Sequence, residues 1–291
     1  MPVSLVFGAS GAIGRFLVPQ LLAAGHGVIA PSRATRASGG NGLEWIVGRL
    51  PDAIPELPRV DTIFSVGPLD AFAAWLSIAT GIHEARIVAI GSLSARTKTM
   101  SVDPAERALA ERLRHAEQSL ADAADARGCA WTVLRPTLIY GAGMDRSLTP
   151  IVRFARRTHV FPTLAGARGL RQPVHAADVA DACIAAAASE SAHRRAYELG
   201  GGERLAFGAM LDRVRASLGD AVVALPVPLA IARAGAQVAR LLPAFRAAGA
   251  GALARLNEDL VADHAAAIAD FGWSPRGFHP GAPDWTPPPL P

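Results

Sequence analysis

Short apolar runs alternate with helix-periodic stretches through the first half of the chain. Val3-Ser4-Leu5-Val6-Phe7 is a strand-like run ending in glycine, and Phe16 to Ala24 then repeats apolar positions at helical spacing. Gly27 to Ala30, Leu43 to Val47, Asp61 to Val66 and Arg86 to Ile90 read as the second to fifth strands, with a helical stretch, Leu69 to Ala79, between the last two. Asp103-Pro104-Ala105-Glu106 reads as an N-cap, a first-turn proline and a capping-box acid. The helix they open runs to about Ala126, with Leu109, Leu113, Ala116 and Leu120 as its expected buried stripe. Gly128 stops it, and Ala130 to Leu134 is a sixth strand. Strands that alternate with helices predict an α/β protein of the Rossmann type, a parallel sheet wound on both faces.

Beyond Gly141 the pattern changes to segments rich in arginine (Arg153, Arg156, Arg157, Arg168, Arg171) and broken by glycine and proline, which suit a cap over the open edge of the sheet. Pro173-Val174-His175-Ala176-Ala177-Asp178 then leads into a helix ending near Ala188, with Asp178 as its candidate cap. Arg195 to Leu199 is a short strand expected to rejoin the sheet. The predicted division is a nucleotide-binding unit over 1–140, rejoined by 172–199, and a smaller, mostly helical substrate side made of 141–171 and 200–291. The faces of Leu229 to Leu242 suit core, a homodimer surface or an apolar ligand.

Composition narrows the partners. The chain of 291 residues is 51% hydrophobic and 19% charged, as expected of a globular protein with a sizeable core. Its formal charge of +4 is spread out rather than gathered in a stripe, which argues against nucleic acid and is compatible with an anionic small molecule. Val222 to Leu242 carries Arg233 and Arg240 and is interrupted by Pro226 and Pro228, so no membrane span is predicted. The first apolar run enters a glycine loop rather than a cleavage site, and a cytoplasmic location is expected. Cys129 and Cys183 lack metal-ligand spacing and read as core residues. Of the 29 basic residues only Lys98 is a lysine.

Candidate chemistry starts at Gly8-Ala9-Ser10-Gly11-Ala12-Ile13-Gly14. This triplet follows a strand and opens a helix, where glycine lets the backbone turn and approach a pyrophosphate, and the new helix offers its amides and positive dipole end. Gly8, Ser10, Gly11, Ala12, Ile13 and Gly14 are therefore cofactor candidates. An NAD site usually places an acid at the end of the second strand, whereas a 2′-phosphate calls for arginine. Here that strand runs into Pro31-Ser32-Arg33, with Arg36 close behind, so NADP(H) is the expected cofactor and Ser32, Arg33 and Arg36 its phosphate contacts.

With the glycine loop, Leu134-Arg135-Pro136-Thr137-Leu138-Ile139-Tyr140-Gly141 and Pro173 to Ala180 in this order, the chain resembles the extended and atypical short-chain dehydrogenase/reductases, which include the NAD-dependent epimerase/dehydratases. Phe271-Gly272-Trp273-Ser274-Pro275-Arg276 is similar to the end of that family. The resemblance implies that Val66, Gly67 and Pro68 line the cofactor and that Arg135, Pro136 and Thr137 lie near its nicotinamide end. It also implies that Ser92 stands where the family keeps a hydroxyl for the substrate oxygen. Arg49 replaces an acid that often meets the adenine.

The family's catalytic pair is a tyrosine and a lysine four residues apart, the lysine lowering the tyrosine's pKa for proton exchange with a carbinol oxygen. Counting back from Glu117, those positions are Leu109 and Leu113, and the chain's two tyrosines, Tyr140 and Tyr197, fit no other register. Ser92, Lys98 and Tyr140 remain as catalytic candidates, with Ser94 beside them; the plainer alternatives are a surface lysine and a core tyrosine. Two functions follow. One is an NADP(H)-dependent oxidoreductase or epimerase/dehydratase-like enzyme for a small carbonyl or carbinol compound, a nucleotide sugar among the candidates. The other is a redox-silent NADP(H) sensor or structural subunit.

Overall fold

A computed structural model describes residues 1–37, 40–164, 168–219, 222–227 and 255–290. Their central element is a parallel sheet of seven strands, β1 (Val3–Phe7), β2 (Gly27–Ser32), β3 (Leu43–Val47), β4 (Thr62–Ser65), β5 (Arg86–Ile90), β6 (Ala130–Pro136) and β7 (Arg195–Leu199). In space they run β7-β6-β5-β4-β1-β2-β3. The order reverses between β1 and β4, and a ligand cleft in such a sheet forms outside the carboxyl ends of the strands at that point.

The inner strands read as mostly apolar because both faces of the sheet are covered there, whereas the edge strands β3 and β7 carry Glu44, Arg195 and Glu198. Successive side chains of β1 go to opposite sides: Val6 joins Leu17, Val18 and Leu21 of α1 (Gly14–Ala23) and Val179 and Cys183 of α6 (Ala176–Ala188). Leu5 and Phe7 instead join Phe72, Trp75 and Leu76 of α2 (Leu69–Ile78) and Leu120 and Ala124 of α4 (Pro104–Asp125). Both cysteines are buried and free, and burial pushes the Cys183 thiol up.

A third core, built around Leu148, Val152, Phe161, Met210, Val214 and Trp285, belongs to the part beyond the sheet. The arginine-rich segment after Gly141 contains a helix, α5 (Leu148–Thr158), whose buried side is Leu148, Thr149, Val152 and Ala155, while Arg156 and Arg157 lie in its last turn. A strand at Val160–Leu164 pairs in parallel with Val223–Val227, so the apolar stretch after Val222 begins as strand rather than helix. The face from Leu229 to Leu242 lies outside the described residues. Helix α7 (Phe207–Ala216) and a short helix, α8 (Ala265–Phe271), complete the part. Among the described residues no helix is long and apolar enough to cross a membrane.

Two local expectations are corrected. Asp103 caps α4 through the Ala105 N–H at 2.9 Å, but of the expected stripe only Ala116 and Leu120 are buried, with Ala110, Glu117, Ala121, Ala123 and Ala124. Leu109 and Leu113 are half-buried, because the first turns of α4 meet the four-residue α3 (Ser94–Thr97). Helix α6 is capped by His175, whose Nδ1 accepts the Ala177 N–H at 3.0 Å; Asp178 instead accepts from the N–H and Nε of Arg276, at 3.0 and 2.7 Å.

Candidate active site

The glycine loop is dictated by its own backbone. Gly8 turns at φ +86°, and a Cβ there would lie 2.9 Å from the carbonyl carbon of Val66 on the neighbouring strand end. A Cβ on Gly14 would run into the Gly8 carbonyl oxygen, and the Gly11 N–H donates to that same oxygen at 2.8 Å. Only glycine fits a cradle this tight. Ala12 and Ile13 complete the turn; Ile13 is the N-cap of α1 and makes no side-chain cap bond, and the first turn holds no acid. The positive end of the helix is thus left for an anion.

A cavity of about 480 Å³ opens beside this loop, with Gly8, Ser10, Gly67 and Pro68 on one wall and Ser32, Arg33, Arg36 and Arg49 on the other. Ser32 organises the cationic wall: its Oγ accepts from Arg36 Nε at 3.0 Å and from the Ala34 N–H at 3.3 Å. Arg36 is further held over the Trp45 ring at 5.0 Å. Among the described residues, no carboxylate lines this cavity. The group that fits is a nucleotide with a pyrophosphate against the glycines and negative charge at the arginines.

The second cavity, about 580 Å³, lies beyond the ends of β5 and β6. It gathers Ser92, Ser94, Lys98 and Thr137 with Arg146 and Arg171. Lys98 Nζ lies 3.2 Å from Glu106 Oε1, both side chains being largely buried. Ser92 Oγ accepts the Ser94 N–H at 3.2 Å, and Thr137 Oγ1 donates to the Gln172 carbonyl. Arg171 is 5% exposed; its NH1 donates to the carbonyls of Leu170 and Glu258, and its guanidinium lies over Phe207. Asp145 also lines the cavity, but its carboxylate accepts the N–H groups of Ser147, Leu148 and Thr149 at the start of α5.

The chain therefore brings Ser92, Lys98, Pro136 and Thr137 to one cavity, and Gly8, Ser10, Ser32, Arg33, Arg36, Gly67 and Pro68 to the other. Gly11, Ala12, Ile13 and Gly14 form the turn, and the Val66 backbone abuts Gly8. Arg135 lines neither; it clasps Glu117 with Nε at 3.0 Å and with NH2, and that hydrogen bond raises its pKa. Tyr140 is likewise displaced from the expected place. Its ring is 2% exposed, edge-on to His175 at 5.1 Å and to Phe278 at 4.8 Å, and burial pushes its phenol up. A phenol filling the small core cannot meet a substrate in the cavity.

His175 is also a structural group. With Nδ1 accepting from Ala177, the proton of the neutral ring sits on Nε2 and donates to Asp284 Oδ1 at 3.1 Å. Sequence reasoning missed Glu106 as the partner of Lys98 and Arg49 as part of the cationic wall. The arginine standing where an acid is frequent was the available signal for the second; nothing local pointed to the first.

Comparison with known proteins fits this architecture. The NAD dependent epimerase/dehydratase family matches residues 94–200. UDP-glucose 4-epimerase from Thermotoga maritima superposes with a TM-score of 0.66 at 16% identity, covering 94% of this chain and 93% of that one. UDP-glucuronic acid 4-epimerase from Bacillus cereus, solved with NAD, gives 0.69 at 12% identity, covering 94% and 93%. The chain shares the Rossmann-type α/β fold of these two epimerases. Its sequence is also 28% identical over 229 residues to an Arabidopsis thaliana protein, mitochondrial NADH dehydrogenase [ubiquinone] 1 alpha subcomplex subunit 9. That match covers 68% of this chain and 54% of the relative, so the chain spans about half the length of the curated protein it resembles.

Proposed function

We propose that the protein is an NADP(H)-dependent oxidoreductase or epimerase/dehydratase-like enzyme acting on a small carbonyl or carbinol compound, with nucleotide sugars the first to be tried. The observation that carries this reading is the pairing of a glycine cradle and an arginine-lined, carboxylate-free cavity with a second cavity holding Ser92 and Lys98. In this reading residues 1–140 and 172–199 form the nucleotide-binding unit, and 141–171 with 200–291 the substrate side.

When bound, the nicotinamide supplies hydride exchange at its C4. The chain supplies the rest. The amides of the glycine loop and the start of α1 hold the pyrophosphate, and Ser32, Arg33, Arg36 and Arg49 hold the 2′-phosphate, where bidentate guanidinium contacts favour NADP(H) over NAD(H). Ser92 Oγ orients the substrate oxygen, and Lys98 Nζ carries the proton that this oxygen gains or loses. Titrating the purified protein with NADPH and with NADH by fluorescence tests the cofactor half. Preference for NADPH that falls in Arg33→Ala supports it, and binding of neither nucleotide overturns it.

A second reading, a redox-silent NADP(H)-binding sensor or subunit, draws on Leu109 and Leu113 in the positions of the catalytic pair and on the similarity to a respiratory-complex subunit. NADPH binding with no turnover across a panel of carbonyl compounds and nucleotide sugars would favour it.

A further inference from the structure

We propose that Glu106, supported by Ser101, is a positioning residue that fixes the Lys98 ammonium at the wall of the second cavity. The proposal rests on the reading of Lys98 as the proton-carrying group. Lysine is a long, strongly hydrated side chain that loses much rotamer freedom when held, and it normally extends into water. Here the chain's single lysine is 17% exposed and its partner carboxylate 11%. A surface pair of the same molecule, Arg194 with Asp125, is 63% and 48% exposed.

The carboxylate is held from both ends. Oε1 of Glu106 meets Lys98 Nζ, and Oε2 accepts from Ser101 Oγ at 2.7 Å. Ser101 is itself tied down: its Oγ accepts the Asp103 N–H at 3.2 Å and its carbonyl accepts from Arg107 NH1 at 2.7 Å. At the other end the Lys98 N–H donates to the Ser94 carbonyl at 3.2 Å, closing α3. Lys98 lines the cavity and Glu106 does not, so the carboxylate backs the ammonium and acts through it. An ammonium has three donors; Glu106 takes one, which leaves two for a substrate oxygen or the neighbouring hydroxyls.

The other charges around the pair make that backing necessary. Arg146 and Arg171 line the same cavity and repel a third cation. Asp145 is engaged by α5, Asp103 caps α4, and Arg96 on α3 turns to Glu198 at 2.7 Å. The arrangement thus builds a fixed proton-bearing group from the first turn of α4, two turns before the half-buried Leu113.

One lysine in the chain makes the test direct. Full-length protein labelled with 13C-lysine gives one Cε–Hε signal, and in the wild type its two Hε protons are expected to be distinct and slow-moving. In Glu106→Gln they should collapse to the averaged position of a free lysine, with Ser101→Ala between the two. The exposed amine should then react about tenfold faster with trinitrobenzenesulfonate. Adding NADP+ should shift the wild-type signal. In any NADPH-linked carbonyl reduction, Glu106→Gln should lower kcat by about tenfold with the KM for NADPH nearly unchanged. A folded Glu106→Gln protein, or a folded Ser101→Ala protein should the first not fold, with an unchanged lysine signal and reactivity overturns the proposal. A mobile lysine in that variant without turnover in the wild type supports the positioning role and overturns the enzymatic reading instead.

Discussion

The two cavities are built on opposite principles. In the nucleotide cleft the decisive contacts are backbone to backbone: Gly8 against Val66, Gly14 against the Gly8 carbonyl. In the second cavity they are made by side chains instead, Lys98 with Glu106 eight residues on and Arg171 over Phe207. A backbone constraint specifies residue identity locally, whereas a side-chain cluster leaves each member free to vary with its partners. The first cavity therefore matches a general pattern, and the second lies on the side where Leu109 and Leu113 occupy the positions that the resemblance implies for the catalytic pair.

The sharpest way to break that contrast is to place a methyl group in the cradle. Gly14→Ala drives Cβ into the Gly8 carbonyl and the Ala9 backbone, which cannot yield as a flexible side chain would. Loss of about 3 kcal/mol of stability by urea unfolding, with NADPH binding abolished, is the expected outcome. Retained binding would mean that the loop has slack. On the substrate side, Lys98→Ala should lower kcat about 100-fold while leaving NADPH affinity within about twofold, because only proton transfer is removed. Equal losses in both quantities would join the two cavities into one unit. A smaller effect is expected from Arg33→Ala or Arg36→Ala: about tenfold weaker NADPH binding and unchanged NADH binding, read from parallel fluorescence titrations.

The same contrast explains what the sequence disclosed. Strands β1 to β6 and the loop after β1 were legible because covered sheet faces give short, mostly apolar runs and because glycine punctuates them. Helix α5 was hidden, since Gly141, Gly143 and the arginines around it read as loop, while its buried side is only Leu148, Thr149, Val152 and Ala155. Arg171 read only as one of the arginines of a capping segment, yet it is buried, with the carbonyls of Leu170 and Glu258 receiving its donors. Tyr140 pointed to chemistry through its neighbours in sequence, and packing against Phe278, 138 positions away, decided otherwise. Such contacts leave no local periodicity to read.

The smallest predicted effect lies at the seam between the two regions, where Asp284 of the C-terminal segment meets His175 at the start of α6. Burial by itself would raise the Asp284 carboxyl; the hydrogen bonds from His175 and the Gly281 N–H, together with the electrostatic pull of His175 and Arg276, outweigh it and hold the carboxyl below its usual value. A carboxyl depressed in the folded state binds protons less readily there than in the unfolded chain. Its contribution is therefore present above the unfolded pKa and is lost as pH falls through the folded one. Because Asp284 is partly exposed, the contribution is held to about 0.5 kcal/mol. Asp284→Asn should then lower stability at pH 7 by about that amount and flatten the acid limb of the stability curve below about pH 4, as followed by urea midpoints at fixed ionic strength. An unchanged acid limb would assign the pH dependence to other carboxylates and leave the seam held by Arg276, whose N–H and Nε donate to Asp178 at 3.0 and 2.7 Å.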